Sequence, residues 1–143
     1  MKAHPRRGDV FWVKLDPAHG TEIRKTRPAV VISNDSCNIY GARVIVLPVT
    51  SNVASLFPGE AMIDIQGRPA RALGDQMRSL DKARLGSKIG TLSPIELLAV
   101  EEAVLITLGF TPQRNGSWLY CPQPFYLLPR DSITRHCFVK TVE

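Results

Sequence analysis

Short apolar runs separated by polar turns fill most of the chain. Residues 10–15 are apolar and partly alternating, and residues 28–33 and 44–49 are rich in β-branched side chains, at buried-strand length. Residues 61–65 alternate apolar and polar, and Gln66-Gly67-Arg68-Pro69 then reads as a turn. The pattern predicts another strand over residues 71–80, carrying Asp75, Gln76 and Arg78. One helical turn over 81–85 and a last strand over 88–92 complete the run.

The period then changes. Ser93-Pro94-Ile95-Glu96 offers a hydroxyl N-cap, a proline in the first turn and a glutamate that can reach back to the cap, a capping box. Leu97, Val100, Val104 and Leu108 follow on one helical face, and Gly109 is placed to end the helix in a left-handed cap. The expectation is a mainly β fold with one C-terminal helix: a small, strongly bent SH3-like barrel with the helix packed against it. Residues 110–143 differ. Four of the eleven prolines fall there, and Trp118, Tyr120, Phe125 and Tyr126 recur without a period. A disordered tail carries fewer aromatics, so an extended, partly ordered arm is expected.

Composition narrows the class modestly. At 143 residues, 44% hydrophobic and 22% charged, the chain suits one globular domain. A formal charge of +5 favours polyanionic partners without requiring them. Cys37, Cys121 and Cys137 are odd in number and scattered, with no zinc spacing, so reduced thiols in a cytoplasmic protein are expected. No metal or cofactor motif is present, no apolar stretch follows the basic start as in a signal peptide, and no apolar run nears the about 18 residues of a membrane span.

The candidate chemistry lies between the first strands. Arg24, Lys25 and Arg27 precede Pro28, and Thr50 followed by Ser51 ends the third apolar run. RNA carries its own nucleophile, the ribose 2′-hydroxyl; a protein need only align it, stabilise the phosphorane charge and manage two protons. Arginine pairs bidentately with phosphate, and a threonine hydroxyl adds a hydrogen bond. Proline holds the preceding Arg27 extended, and short connections make the second and third strands neighbours, which brings Arg27 and Thr50 together. On chemistry alone, plainer readings stand beside this: Arg27 as a surface cation, Thr50 as an ordinary strand end, Arg24 and Lys25 as a solvated loop. Asp75 and Gln76 read either as base-contacting groups or as a polar strand face. Of the three histidines, His4, His19 and His136, only His19 lies in this loop.

Taken together, Arg7-Gly8-Asp9-Val10-Phe11-Trp12-Val13, Leu15-Asp16-Pro17, Gly20-Thr21-Glu22 and Thr26-Arg27-Pro28-Ala29-Val30-Val31 resemble the opening of MazF/PemK toxins of bacterial toxin–antitoxin modules. Val46-Leu47-Pro48-Val49-Thr50-Ser51 resembles their third strand, and Gly74-Asp75-Gln76-Met77-Arg78-Ser79-Leu80-Asp81-Lys82 a later segment. The resemblance covers residues 6–109 and leaves 110–143 as an extension outside it. It implies a homodimer of barrels of the type shared with the gyrase-poisoning toxin CcdB. It also implies a metal-independent endoribonuclease that cuts single-stranded RNA at short sequences, leaving a 2′,3′-cyclic phosphate and a 5′-hydroxyl. Arg27 and Thr50 take the catalytic roles. Thr21, Glu22, Asp75 and Gln76 contact RNA in this reading, with Arg24, Lys25, Pro28, Ser51 and Arg78 beside them. An acidic, partly disordered antitoxin would cover the same groove. The chain departs from some members: Thr21 stands where they carry histidine, and Leu73 where they carry arginine. The alternatives are a non-catalytic inhibitor of a protein target such as DNA gyrase, and an RNA-binding barrel without activity.

Overall fold

The computed structural model describes residues 4–112 and 118–120. In chain order the elements are strands β1 (Asp9–Lys14) and β2 (Thr26–Val31), a short helix α1 (Asp35–Tyr40), and strands β3 (Arg43–Thr50), β4 (Glu60–Ile65), β5 (Arg68–Leu73), β6 (Arg78–Asp81) and β7 (Leu85–Thr91). The long helix α2 (Pro94–Thr107) follows, then β8 (Phe110–Pro112) and β9 (Trp118–Tyr120). Seven strands form one antiparallel sheet in the order β4-β5-β3-β2-β1-β7, with β6 also paired to β3. β8 and β9 pair as a separate hairpin. The mainly β fold with one long C-terminal helix is therefore present, as a half-barrel sheet. The remaining aromatics of the tail, Phe125 and Tyr126, lie outside the described residues, as do Cys121, His136 and Cys137.

Strands β2 and β3 form the spine because both of their faces are buried. Val30, Ile32, Leu47 and Val49 point to one core, which Val100 and Ala103 of α2 close from above. Ala29, Val31, Val44 and Val46 point the other way, into a second core with Val13, Leu15 and Leu80. This two-sided burial explains why their sequences are continuous apolar runs rather than alternating ones. Apolar burial of this kind is worth roughly 25 cal/mol per Å² and dominates the stability of the sheet.

Three expectations are corrected. Residues 71–80 are not one strand: β5 and β6 succeed one another along the same edge of β3, separated by the 3₁₀ turn Gly74–Gln76. Val49 faces Ala72 and Val46 faces Arg78, so the turn inserts three extra residues and lifts Asp75 and Gln76 off any strand face. Gly74 permits this. Its amide donates to the Gly59 carbonyl at 3.0 Å, and a β-carbon there would run into that carbonyl and the Thr107 hydroxyl. Second, the turn after β4 is confined to Gln66 and Gly67, at φ 55° and 78°, and Arg68 and Pro69 already belong to β5. Third, α1 is absent from the apolar pattern. Asn34 caps it by accepting the Cys37 amide at 2.8 Å, and Asn38 is its buried residue.

The capping box of α2 forms as read: Ser93 Oγ accepts the Glu96 amide, and the Glu96 carboxylate accepts the Ser93 amide at 2.9 Å. Gly109 turns the chain at φ 86°. Val100 is fully buried and Leu97 and Val104 pack against the same core, but Leu108 sits at the C-cap and is half exposed because the chain leaves the helix there. The turn before β7 also forms, as the 3₁₀ segment Lys82–Arg84 capped by Asp81. No helix among the described residues is long and apolar enough to cross a membrane.

Candidate active site

The antiparallel register of β2 and β3 pairs Ala29 with Pro48 and Val30 with Leu47. The ladder ends there, and Arg27 and Thr50 follow within two residues at the neighbouring ends of the two strands. Both side chains line a groove of about 740 Å³ at this end of the sheet, with Lys25, Pro28 and Ser51. Trp12, Arg68 and Lys88 complete its polar and aromatic walls. Lys25, Arg27, Arg68 and Lys88 all line the groove and no carboxylate does, so its potential is positive.

Each side chain is positioned differently. Arg27 is half-buried and donates Nε to the Arg24 carbonyl at 3.0 Å; its Nη groups make no hydrogen bond with the described residues. They are available for the bidentate contact that guanidinium makes with phosphate. The Thr50 hydroxyl accepts the Asn52 amide at 3.2 Å, which leaves its proton to donate. Lys88 is bridged at 2.7 Å to Asp9, a buried carboxylate that also accepts the Thr91 hydroxyl and the Arg6 amide. Part of the Lys88 charge is thereby neutralised.

The loop between β1 and β2 is laced to itself. Arg24 donates to the Gly20 carbonyl at 2.9 Å, His19 donates its amide to the Glu22 carboxylate at 3.1 Å, and the Lys25 amide donates to Asp16 at 3.0 Å. Lys25 adopts φ 69°, a left-handed turn that swings the chain into β2. Thr21 and Glu22 are exposed on this loop, outside the groove lining.

Gln76 and Arg78 are tied to the same loop rather than to the groove. Gln76 Oε1 accepts the Ile23 amide at 3.2 Å, while Arg78 donates to the Leu15 and Ile23 carbonyls at 3.3 and 3.5 Å. Arg78 also lies 4.0 Å from Glu22. Asp75 is exposed and makes no side-chain contact with the described residues. The candidate residues thus fall into two groups joined by the loop: Arg27, Thr50, Lys25, Pro28 and Ser51 in the groove, and Thr21, Glu22, Arg24, Asp75, Gln76 and Arg78 around the loop. Sequence reasoning missed Arg68 and Lys88. Their place in the groove depends on pairings between distant strands, and a lone basic residue in a turn or strand carries no local signal. No cluster of three or more potential metal ligands occurs among the described residues.

The spine of this half-barrel thus ends with Arg27 and Thr50 inside a cationic cleft. The chain belongs to the PemK-like, MazF-like toxins of type II toxin–antitoxin systems, whose family model matches residues 6–108. It is 38% identical over 112 residues to a Mycobacterium tuberculosis protein named Endoribonuclease MazF9, covering 72% of this chain and 95% of that one. Among solved structures it is similar to MazF from Deinococcus radiodurans, with a TM-score of 0.68, 27% identity, and coverage of 76% of this chain and 99% of that one. A MazE–MazF structure from the same organism matches with a TM-score of 0.61 and 25% identity, covering 76% and 98% of the two chains.

Proposed function

We propose that this toxin is a sequence-specific endoribonuclease that cleaves single-stranded RNA through its 2′-hydroxyl, leaving a 2′,3′-cyclic phosphate and a 5′-hydroxyl. The observation that carries the reading is that Arg27 and Thr50 line one cleft together with three further cations and no carboxylate. In this scheme the uncommitted Nη groups of Arg27 grip the non-bridging oxygens of the scissile phosphate. Charge develops on those oxygens in the phosphorane, so the guanidinium binds the transition state more tightly than the substrate. The Thr50 hydroxyl donates a further hydrogen bond to the same group. The 2′-oxygen attacks phosphorus in line as the bond to the 5′-oxygen breaks; its proton passes to solvent water, and water protonates the departing oxygen, so no metal is required to generate the nucleophile.

Lys25, Arg68 and Lys88 steer and hold the flanking phosphates, with Pro28 and Ser51 on the wall between them. Thr21, Glu22, Arg24, Asp75, Gln76 and Arg78 shape the part of the site that meets bases, since single strands are read by splayed bases and hydrogen bonds to their edges. The chain acts in the cytoplasm as a homodimer, and an acidic antitoxin neutralises it by occupying the cationic cleft. Cleavage of messages would then stop translation and growth.

The test is direct. Purified protein in EDTA is expected to cut a long single-stranded RNA, and Arg27→Ala or Thr50→Ala is expected to lower the rate by about tenfold or more. Circular dichroism should show both variants folded. Undiminished cleavage by folded Arg27→Ala and Thr50→Ala would remove the catalytic assignment. Toxicity that survives Arg27→Ala without RNA cleavage would instead favour inhibition of a protein target.

A further inference from the structure

Thr50 has a second charged neighbour that the groove does not expose. Across the β3–β5 ladder Thr50 pairs with Arg71. Directly opposed residues share one face of a sheet with Cβ atoms about 4.5–5.5 Å apart. Arg71 is 8% exposed, and its Nη1 lies 3.1 Å from a Glu60 carboxylate that is itself sequestered. The same Nη1 donates to the Ser55 carbonyl, and the guanidinium carbon stands 6.0 Å from the centre of the Phe57 ring. Glu60 also accepts the Phe57 amide at 2.9 Å. Arg71 Nε is buried and has no hydrogen-bond partner among the described residues.

These contacts converge on the loop between β3 and β4, residues 51–58, every one of which is exposed. An eight-residue exposed segment pays a large entropic cost to hold one conformation, and its apolar residues Val53, Leu56 and Phe57 contribute little burial. A nearly buried ion pair does not recover that cost as stability, because desolvation offsets the attraction. What it does is fix geometry. The chain of contacts ends at the reaction: the held loop returns through Ala54 and Asn52 to the Asn52 amide, which donates to Thr50 Oγ1. That bond occupies one lone pair of the hydroxyl and so decides where its proton points.

We propose that Arg71, held by Glu60, is a positioning residue that fixes the β3–β4 loop and through it the direction of the Thr50 hydroxyl. The inference rests on the endoribonuclease reading. Arg71 does not touch the substrate in this scheme; it acts through Thr50.

The experiment is a double-mutant cycle in single-turnover RNA cleavage at saturating protein. The clamp is removed as a unit with Arg71→Met and Glu60→Gln together, so that no buried charge is left unpaired. In the wild-type background the paired substitution should slow cleavage by about tenfold while RNA affinity changes by less than about threefold. In a Thr50→Ala background the same substitution should cost no more than about twofold, because the group it positions is already gone. A full loss repeated in the Thr50→Ala background, or no loss in either, overturns the proposal.

Should the clamp variants fail to fold, amide hydrogen exchange in the wild-type protein decides the matter. Protection at Asn52 and Phe57 supports a held loop, and exchange there at the rate of an unstructured peptide overturns it. If the unsubstituted protein cuts no RNA at all, the functional reading falls. The exchange experiment then still judges the clamp on its own.

Discussion

Arg68 and Lys88 line the same groove and differ in how much charge they present. Arg68 is exposed and carries no ion pair with a described residue, whereas Lys88 is held at 2.7 Å by Asp9. A phosphate bound at Lys88 must share the ammonium with that carboxylate. For single-stranded RNA each neutralised phosphate contributes about 0.7 to the slope of log affinity against log salt. Arg68→Ala is therefore expected to flatten that slope by about 0.7, and Lys88→Ala by clearly less. Titrations of a non-cleavable RNA at several salt concentrations check the ranking. The contrast also marks what the residue scale reveals before folding. A proline and a strand end flag Arg27 and Thr50 locally, but only the family resemblance over residues 6–109 set them apart from a surface cation and an ordinary strand end. Arg68, Lys88 and Arg71 acquire their roles only from partners in distant strands, and no local pattern announces such partners.

Helix α2 owes its sharp start to Ser93 and Glu96, and that start has a pH signature. The Ser93 hydroxyl, donating to the Glu96 carboxylate at 2.6 Å, holds its carboxyl below the ordinary value of 4.5, assisted by the amides of Asp64 and Ser93. A carboxyl depressed in the folded state stabilises the protein above its unfolded value, and that contribution is lost as pH falls through the folded one. Glu96→Ala should thus lower Tm at pH 7, with the gap to the wild type closing as pH drops below about 4.5. Thermal melts of both proteins across acid pH read this out.

The turn Gly74–Gln76 makes a different demand. Gly74→Ala would force a methyl group against the Gly59 carbonyl and Thr107, at a cost of about 1–3 kcal/mol in chemical denaturation. At this scale the α2 cap, the hairpin turn at Gln66 and Gly67 and the buried spine were all legible, because each follows from local chemistry. The split of residues 71–80 was not. Ala72 packs in the first core and Leu80 in the second, although a continuous strand would put both on one face, and the run breaks where Gly74 bonds to a residue fifteen positions earlier. Helix α1 stayed hidden for a related reason. Its buried residue is Asn38, whose amide donates to the Ser33 carbonyl at 2.9 Å and whose Oδ1 accepts the Ser33 hydroxyl, so it carries no apolar periodicity.

The molecule as a whole is two cores wrapped around one pair of strands. Leu47 is fully buried in the core beneath α2, next to Pro48 and three residues from Thr50 along the same strand. Leu47→Ala is expected to cost about 2–5 kcal/mol in denaturant-induced unfolding. The site lies at the end of that strand, so cleavage per folded molecule should change much less than stability does. A fold of this kind was legible in outline from the apolar runs, whereas the sheet order, which carries β7 back to β1 and β6 onto β3, depends on pairings that lie far apart in sequence.

The shared groove of Arg27 and Thr50, at neighbouring ends of β2 and β3, separates two inheritances within one small protein. These two residues are rooted in the buried spine of the sheet, while the segment 16–25, which leads into β2, is largely exposed. On the proposed function, such a division lets a lineage retarget its cuts by rewriting that segment while Arg27 and Thr50 stay in place. A chimera that exchanges only residues 16–25 with a relative of different sequence preference should adopt the donor's cutting pattern and keep its dependence on Arg27.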